Sequence, residues 1–469
     1  MDAQPRRHIV IVGGGIIGCT TAYYLTRHPK FNPALHTVTL LEATAIAAGA
    51  SGKAGGLLAL WAYPTCLVPL SYRLHKELAA EHNGAERWGY RRLGCGSLAA
   101  RVEASHLQAR ERQTTSPSPA ANGTNGELPI QSAVSDEKTK DWEKLPKQDG
   151  KAAGLLQESP LPPDLDWIDG SLVQYYEEMG TPGATETAQV HPFHFTNAMA
   201  DLARQKGVDI RLRAKVTKIR DTKPNGVQAV EYEDRDTGTT HTIDGVTDVV
   251  VAAGPWTGKI LPRTRIEGLR AHSVVFEADV SPYAVFTDIQ LPPDYVPAHR
   301  AAKGQKRRHR GNVDPEIYAR PFGEVYACGE PDSAIPLPAT ADAVSTDPSQ
   351  CDDLIAYIGT VSPALARAPV KARQACYLPR HMRFGEERGP LIGPTTVPGL
   401  WVAAGHTCWG IQNGPGTGWL MAGMILGARG EGDDTGMGGE GDGEGLRGGV
   451  EGIEGMEGVG KLDPRRFKV

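Results

Sequence analysis

Six residues near the start of the chain, Gly13-Gly14-Gly15-Ile16-Ile17-Gly18, carry the spacing G-x-G-x-x-G. The chemistry open to such a loop is the holding of phosphate. Gly13 permits a tight turn, Gly15 lets backbone approach a pyrophosphate, and Gly18 lets a helix pack closely on a strand. A helix starting at Ile16 supplies unpaired N–H groups and a positive dipole end to the phosphates. Glu42, followed by Ala43, comes 24 residues after Gly18. A carboxylate there accepts hydrogen bonds from an adenosine ribose and repels a 2′-phosphate, which argues against NADP. A glycine turn beside an incidental surface Glu has the same spacing; the coincidence of strand, loop, helix, second strand and acid favours a dinucleotide. The spacing does not separate FAD from NAD.

Other residues with chemical potential lie far along the chain. Gly405-His406-Thr407-Cys408-Trp409-Gly410 reads as a loop after a strand over 401–404. Gly414-Pro415-Gly416-Thr417-Gly418 then reads as the opening of a helix through 428, with Pro415 near its first turn. Tyr318, Arg320 and His272 fall in segments that read as sheet. Arg320 is suited to clamp a carboxylate bidentately, or pairs with Glu324. Tyr318 and His272 are equally readable as packed sheet residues. Ser51, Gly52, Lys53, Ala54, Gly55 and Gly56 form a small, flexible run. Ser51 there is a donor to a bound group or the start of a local turn; Lys53 is a charge near a cofactor or a solvated side chain.

These residues need a βαβ frame. The β-branched run 8–12 reads as a buried strand, 16–27 as a helix and 37–41 as a second strand. The apolar spacing of 192–206 predicts a helix ended by Gly207, with a strand over 208–212. Segments 227–232 and 240–243 read as hairpin arms around Asp236-Thr237-Gly238. A buried strand over 246–252 aims at Ala253-Gly254, where no bulky side chain obstructs a ligand.

The chain has 469 residues, room for two or three domains. Fifty Lys+Arg against 55 Asp+Glu leave a net charge of −5, so no nucleic-acid partner is expected. Seven scattered cysteines without a Cys-x-x-Cys argue against a disulfide scaffold and a clustered metal site, and suit a reducing compartment. The apolar run 8–12 is too short for a signal peptide, and 419–428 falls far short of the ~20 residues of a membrane span. The C-terminal Arg466-Phe467-Lys468-Val469 is no peroxisomal address. A cytoplasmic location is the expectation. Three insertions are expected to be poorly ordered: 111–163, rich in Ser, Thr, Pro, Asn and Gly; 299–312, with six Lys/Arg in the eleven residues 300–310; and 430–460, where glycines alternate with acids. The basic stretch is a localisation signal, a nucleic-acid contact or a solvated loop.

Three later segments carry a resemblance. Gly49-Ala50-Ser51-Gly52-Lys53-Ala54-Gly55-Gly56-Leu57-Leu58, Val250-Val251-Ala252-Ala253-Gly254-Pro255-Trp256, and Gly389-Pro390-Leu391-Ile392-Gly393-Pro394 with Leu400-Trp401-Val402-Ala403-Ala404-Gly405-His406 follow in order. Together they resemble the D-amino-acid oxidase-like group of FAD-dependent oxidoreductases, the superfamily of glycine oxidase, sarcosine oxidase and fructosyl-amino-acid oxidases. Within it the chain is similar to the fungal branch linked to endosome-to-Golgi retrograde transport. The resemblance implies FAD as cofactor. It implies an α/β fold: a Rossmann-type FAD-binding domain from 1–60, 190–262 and 385–430, and an α+β substrate domain on a mostly antiparallel sheet from 61–189 and 263–384. Val216 would meet the adenine edge; 51–56, Ala253, Gly254, Trp256, Gly405, Gly410 and Gly414 to Thr417 would hold the remainder. A helix N-terminus aimed at the flavin N1 and C2 carbonyl would stabilise the reduced ring by ~0.3–2 kcal/mol.

The implied reaction is oxidation of a C–N bond in a small amine or amino-acid-like substrate. Hydride passes to flavin N5, the imine hydrolyses, and O2 reoxidises the flavin to give peroxide. His406, Trp409, Tyr318, Arg320 and His272 are the candidates to face the ring. The chain departs from its relatives where amino-acid oxidases often carry an Arg for the substrate carboxylate, reading Ala375-Cys376-Tyr377-Leu378-Pro379. That weakens an α-amino-acid substrate. In sarcosine-oxidase relatives a cysteine in this region carries covalent flavin, so Cys376 is a candidate attachment point or a buried free thiol. The fungal likeness also implies trafficking contacts and late endosomes, with a flavin carrier of little turnover, or a dehydrogenase, as the alternatives.

Overall fold

Short β-branched runs ending at glycine or a turn build the first layer. In the computed structural model, which describes residues 5–108, 160–180, 186–222, 226–427 and 458–469, they form one six-stranded sheet. Its order is Leu391–Pro394, Leu400–Ala404, Asp248–Val251, Arg7–Val12, His36–Leu41, Asp209–Arg211. Every pairing is parallel except that of the first two strands. Arg7–Val12 is central, and Ile9 to Ile11 are fully buried because helices or strands cover both faces.

Five helices of ten or more residues are described: α1 (Ile16–Leu25), α2 (Val68–Glu81), α3 (Pro192–Arg204), α4 (Pro348–Val361) and α5 (Gly410–Gly427). α1 packs most heavily on α5 and also on α3, while α2 packs on the other side of α5. No helix among the described residues is long and apolar enough to cross a membrane.

The second layer is an eight-stranded sheet. Its order is Glu386–Arg388, Val370–Arg383, Ile266–Glu277, Glu324–Cys328, Glu316–Arg320, Tyr283–Gln290, Gly94–Arg101, Val173–Glu178. It is antiparallel except for the parallel pairing of Tyr283–Gln290 with Gly94–Arg101. α4 covers its outer face with Tyr357, Ile358 and Val361 in a core shared with Val274, Phe276 and Ile317. The parallel sheet draws on 7–41, 209–251 and 391–404; the eight-stranded sheet draws on 94–101, 173–178 and 266–388.

Residues 299–312, expected to be poorly ordered, instead have defined partners. Arg300 Nε and Nη2 meet the buried Asp353 of α4 at 2.6 and 2.5 Å, and His299 Nε2 lies 3.2 Å from the same carboxylate. A buried acid needs a cation, and Arg300 of the basic run supplies it. Of the other two insertions, 111–159 and 430–457 lie outside the described residues.

The C-terminal helix begins at Gly410, four residues before the predicted opening, which leaves Pro415 inside it. Proline there removes the N–H that Ile411 C=O would accept, a loss of about 3 kcal/mol in an ordinary helix. α2 repairs the gap. His75 Nε2 donates to the carbonyls of Ile411 at 3.0 Å and Gln412 at 3.2 Å, and Gly416 N–H donates to Ser71 Oγ at 2.8 Å. Carbonyls only accept, so the His75 proton sits on Nε2. Burial holds this imidazole down at about 4, hence neutral.

Candidate active site

One cavity of about 1130 Å³ opens between the two sheets. It exceeds the ~300–1,000 Å³ usual for small-ligand sites. Its parallel-sheet side is built largely from backbone. Gly13 turns the chain off its strand at φ +112°, a conformation side chains disfavour. A Cβ on Gly15 would meet only Ser51 Oγ, at 3.1 Å, so any side chain there would fill the space left for a ligand. Ser51 Oγ accepts the first helical donor, Ile16 N–H, at 3.0 Å, which leaves its own O–H to donate. Glu42 Oε2 accepts from Gly14 N–H at 2.7 Å, and Oε1 from Thr44 N–H and Oγ1, each at 2.8 Å. The acid thus braces the glycine loop while lining the cavity.

Most of the predicted residues share this cavity: Gly13, Gly15, Ile16, Ile17, Glu42, Ala43, Ser51, Lys53, Ala54, Gly55, Gly56, Val216, Ala253, Gly254, Trp256, Cys376, Gly405, Gly410, and with them Tyr318, His406 and Trp409. Lys53 Nζ donates to Ala375 O at 3.0 Å, tying the loop to the eight-stranded sheet. Burial pushes the Cys376 thiol up to about 11, which opposes thiolate formation. His406, 3% exposed, has no partner for either ring nitrogen among the described residues, and burial alone drives it down to about 3. It is a neutral imidazole with one donor and one acceptor unclaimed.

Several predicted residues stand elsewhere. Gly414, Pro415, Gly416 and Thr417 do not reach the cavity. A Cβ on Gly414 would come within 2.6 Å of Ile16 and one on Gly416 within 2.8 Å of Ser71, so these glycines let α5 cross α1 and α2. The loop expected to precede the helix, Gly410 onward, is its true first turn and does line the cavity. Gly18 and Gly52 also lie off the cavity, against the carbonyls of Gly13 and Ala47.

His272 and Arg320 do not face the cavity either. His272 Nε2 accepts from Asp347 N–H at 3.0 Å and its Nδ1 faces Asp332 at 3.5 Å. Arg320 is 5% exposed, with Nη2 3.3 Å from Glu324 and 3.0 Å from His191 Nε2. A guanidinium so paired cannot clamp a substrate. Although burial of Glu324 acts the other way, bonds from His191 and Lys371 and the charge of Arg320 hold its carboxyl down to about 2.

Sequence reasoning missed Glu316, Phe286, Tyr326, Cys328 and Cys408, all on the cavity wall. The available signal was alternation. Glu316, Tyr318 and Arg320 share one strand face, as do Glu324, Tyr326 and Cys328.

The cavity therefore has a phosphate-ready cradle on one side and a polar-aromatic wall on the other, as a dinucleotide joined to a reactive ring requires. The family model described as FAD dependent oxidoreductase matches residues 8–424. The Saccharomyces cerevisiae oxidoreductase TDA3 is 35% identical over 503 residues, covering 91% of this chain and 92% of that protein. An oxidoreductase of Schizosaccharomyces pombe is 32% identical over 434 residues, covering 90% and 94%. Among solved structures, glycine oxidase from Bacillus cereus aligns over 90% of this chain and 96% of its own, with TM-score 0.58 and 19% identity. L-proline dehydrogenase from P. horikoshii aligns over 92% and 96%, also with TM-score 0.58, at 15% identity. On the glycine loop, the two-sheet cavity and a family match spanning nearly the whole chain, this protein belongs to the DAO family of FAD-dependent oxidoreductases, and FAD is its cofactor.

Proposed function

We propose that this chain oxidises a C–N bond of a small amine or amino-acid-like substrate, with O2 as the electron acceptor. The observation that carries the reading is the continuity of one cavity from the Gly13–Gly15 loop to the wall bearing Tyr318, His406 and Trp409. When bound, FAD supplies the two-electron chemistry, accepting hydride at N5. The chain's own residues bind and orient. Gly13, Gly15 and the start of α1 hold the pyrophosphate, Glu42 the ribose, and Val216 flanks the adenine. Ser51 to Gly56, Ala253, Gly254, Trp256, Gly405 and Gly410 line the course of the remainder. His406, neutral and unpartnered, offers one N–H to an acceptor at the ring. Tyr318 and Trp409 exclude water from the substrate. That glycine oxidase and L-proline dehydrogenase share the fold supports a C–N substrate.

The test is a yellow purified protein screened anaerobically with amines and amino acids. Bleaching, followed by oxygen uptake and peroxide release, is the expected result. Bleaching that persists in air and discharges only to a quinone or protein acceptor would make the chain a dehydrogenase.

A further inference from the structure

The eight-stranded sheet presents its side chains to the cavity in cross-strand rows. Phe286, Glu316, Cys328 and Ser273 stand opposite one another in one row; Ala284, Tyr318, Tyr326 and Val275 form the next. Residues of one row on one face are in lateral contact. The acid of the first row is the unusual member. Glu316 Oε2 accepts from the Tyr318 phenol and from the Cys328 thiol at 3.7 Å. Among the described residues no Lys, Arg or His pairs with it. A carboxylate withdrawn from water costs several kcal/mol unless a cation meets it. Burial accordingly pushes the Glu316 carboxyl above its usual range.

The surroundings fit a cation. Five aromatic rings form a continuous series that includes Phe286 and Tyr318, the neighbours of this carboxylate: Trp409 to Trp61 at 5.8 Å, Trp61 to Phe286 at 6.1 Å, Phe286 to Tyr318 at 6.0 Å and Tyr318 to Tyr326 at 5.8 Å between centroids. Ring faces attract alkylammonium groups. Two buried arginines of this sheet that could meet an anionic substrate are already engaged by acids. Arg320 is held by Glu324, and Arg270 lies 3.0 Å from Asp332.

We propose that this wall selects a cationic amine carrying no carboxylate, its ammonium seated on Glu316 among the rings. The inference rests on the C–N oxidation reading above and narrows its substrate class.

The test uses the FAD-loaded protein under anaerobic conditions. Three four-carbon probes that differ in head group, n-butylamine, n-butanol and n-butyrate, are titrated while the flavin spectrum and tryptophan fluorescence are followed. n-Butylamine is expected to bind about tenfold or more tighter than either of the others. Glu316→Gln is expected to remove that advantage and leave n-butanol unchanged. Equal or tighter binding of n-butyrate, or an undiminished amine affinity in Glu316→Gln, overturns the proposal. If the variant does not fold, the three-probe series on the natural chain decides alone. The two readings separate cleanly: amine binding through Glu316, with no amine or amino acid of the screen bleaching the flavin, refutes C–N oxidation and keeps the ammonium site. Bleaching by glycine that survives Glu316→Gln does the reverse.

Discussion

The two sides of the cavity are made of different material. The cradle beneath the parallel sheet is backbone: a glycine turn, a helix N-terminus and the N–H groups they leave open, with Glu42 and Ser51 bracing them. The wall on the eight-stranded sheet is side chain, contributed by strands more than a hundred residues apart in some cases. A backbone site tolerates almost no substitution because nothing can be trimmed. A side-chain site is a set of replaceable parts on a fixed frame.

The sharpest way to break this contrast is at Gly15. Gly15→Val should abolish flavin binding, read as loss of visible absorbance per mole of folded protein; a variant that stays yellow would show that phosphate does not approach there. The next largest effect is expected at His75, in neither region but behind both. His75→Ala leaves the Ile411 and Gln412 carbonyls buried without their donor, a loss of about 3 kcal/mol in denaturant unfolding. His75→Gln, whose amide still donates, should recover part of it.

Acid should act through His75 and His406. Their folded values of about 4 and about 3 lie below the ~6.5 of an unfolded histidine. The unfolded chain therefore binds the proton first, and each histidine makes the fold weaker as pH falls below about 6.5, down to its folded value. The loss is about 2 kcal/mol per histidine between pH 6.5 and 5. His406→Asn should flatten the stability–pH slope over that window without touching the contribution of His75. An unchanged slope would mean that His406 takes up its proton in the fold as readily as in the unfolded chain. The smallest effect belongs to the wall's thiol. With Cys376 pushed up to about 11, Cys376→Ser should retain its flavin, and acid denaturation of the natural chain should release all colour to the supernatant. Colour that stays with the pellet would establish a covalent link.

The contrast also explains what could be read in advance. Gly13 to Gly18 and Glu42 lie within one βαβ unit, where local spacing determines geometry, so the cradle was legible. The wall depends on register between Phe286, Glu316, Cys328 and Ser273, which no local pattern specifies. Arg320 shows the difficulty: its type suggests a substrate clamp, yet cross-strand pairing delivers Glu324 to it. Gly414 to Thr417 misled in another way. Dense glycine looks like a ligand loop, but here it thins a helix so that Ile16, Ser71 and Thr20 can come close. His75 escaped notice because its partner carbonyls stand 336 and 337 positions away.

The cross-strand rows carry one more implication. Each position along a row is a side chain on a hydrogen-bonded ribbon whose path does not depend on it. Exchanging Glu316 or Phe286 would thus retune what the enzyme accepts without disturbing the coenzyme's seat. A lineage built this way can diversify its diet while keeping its engine.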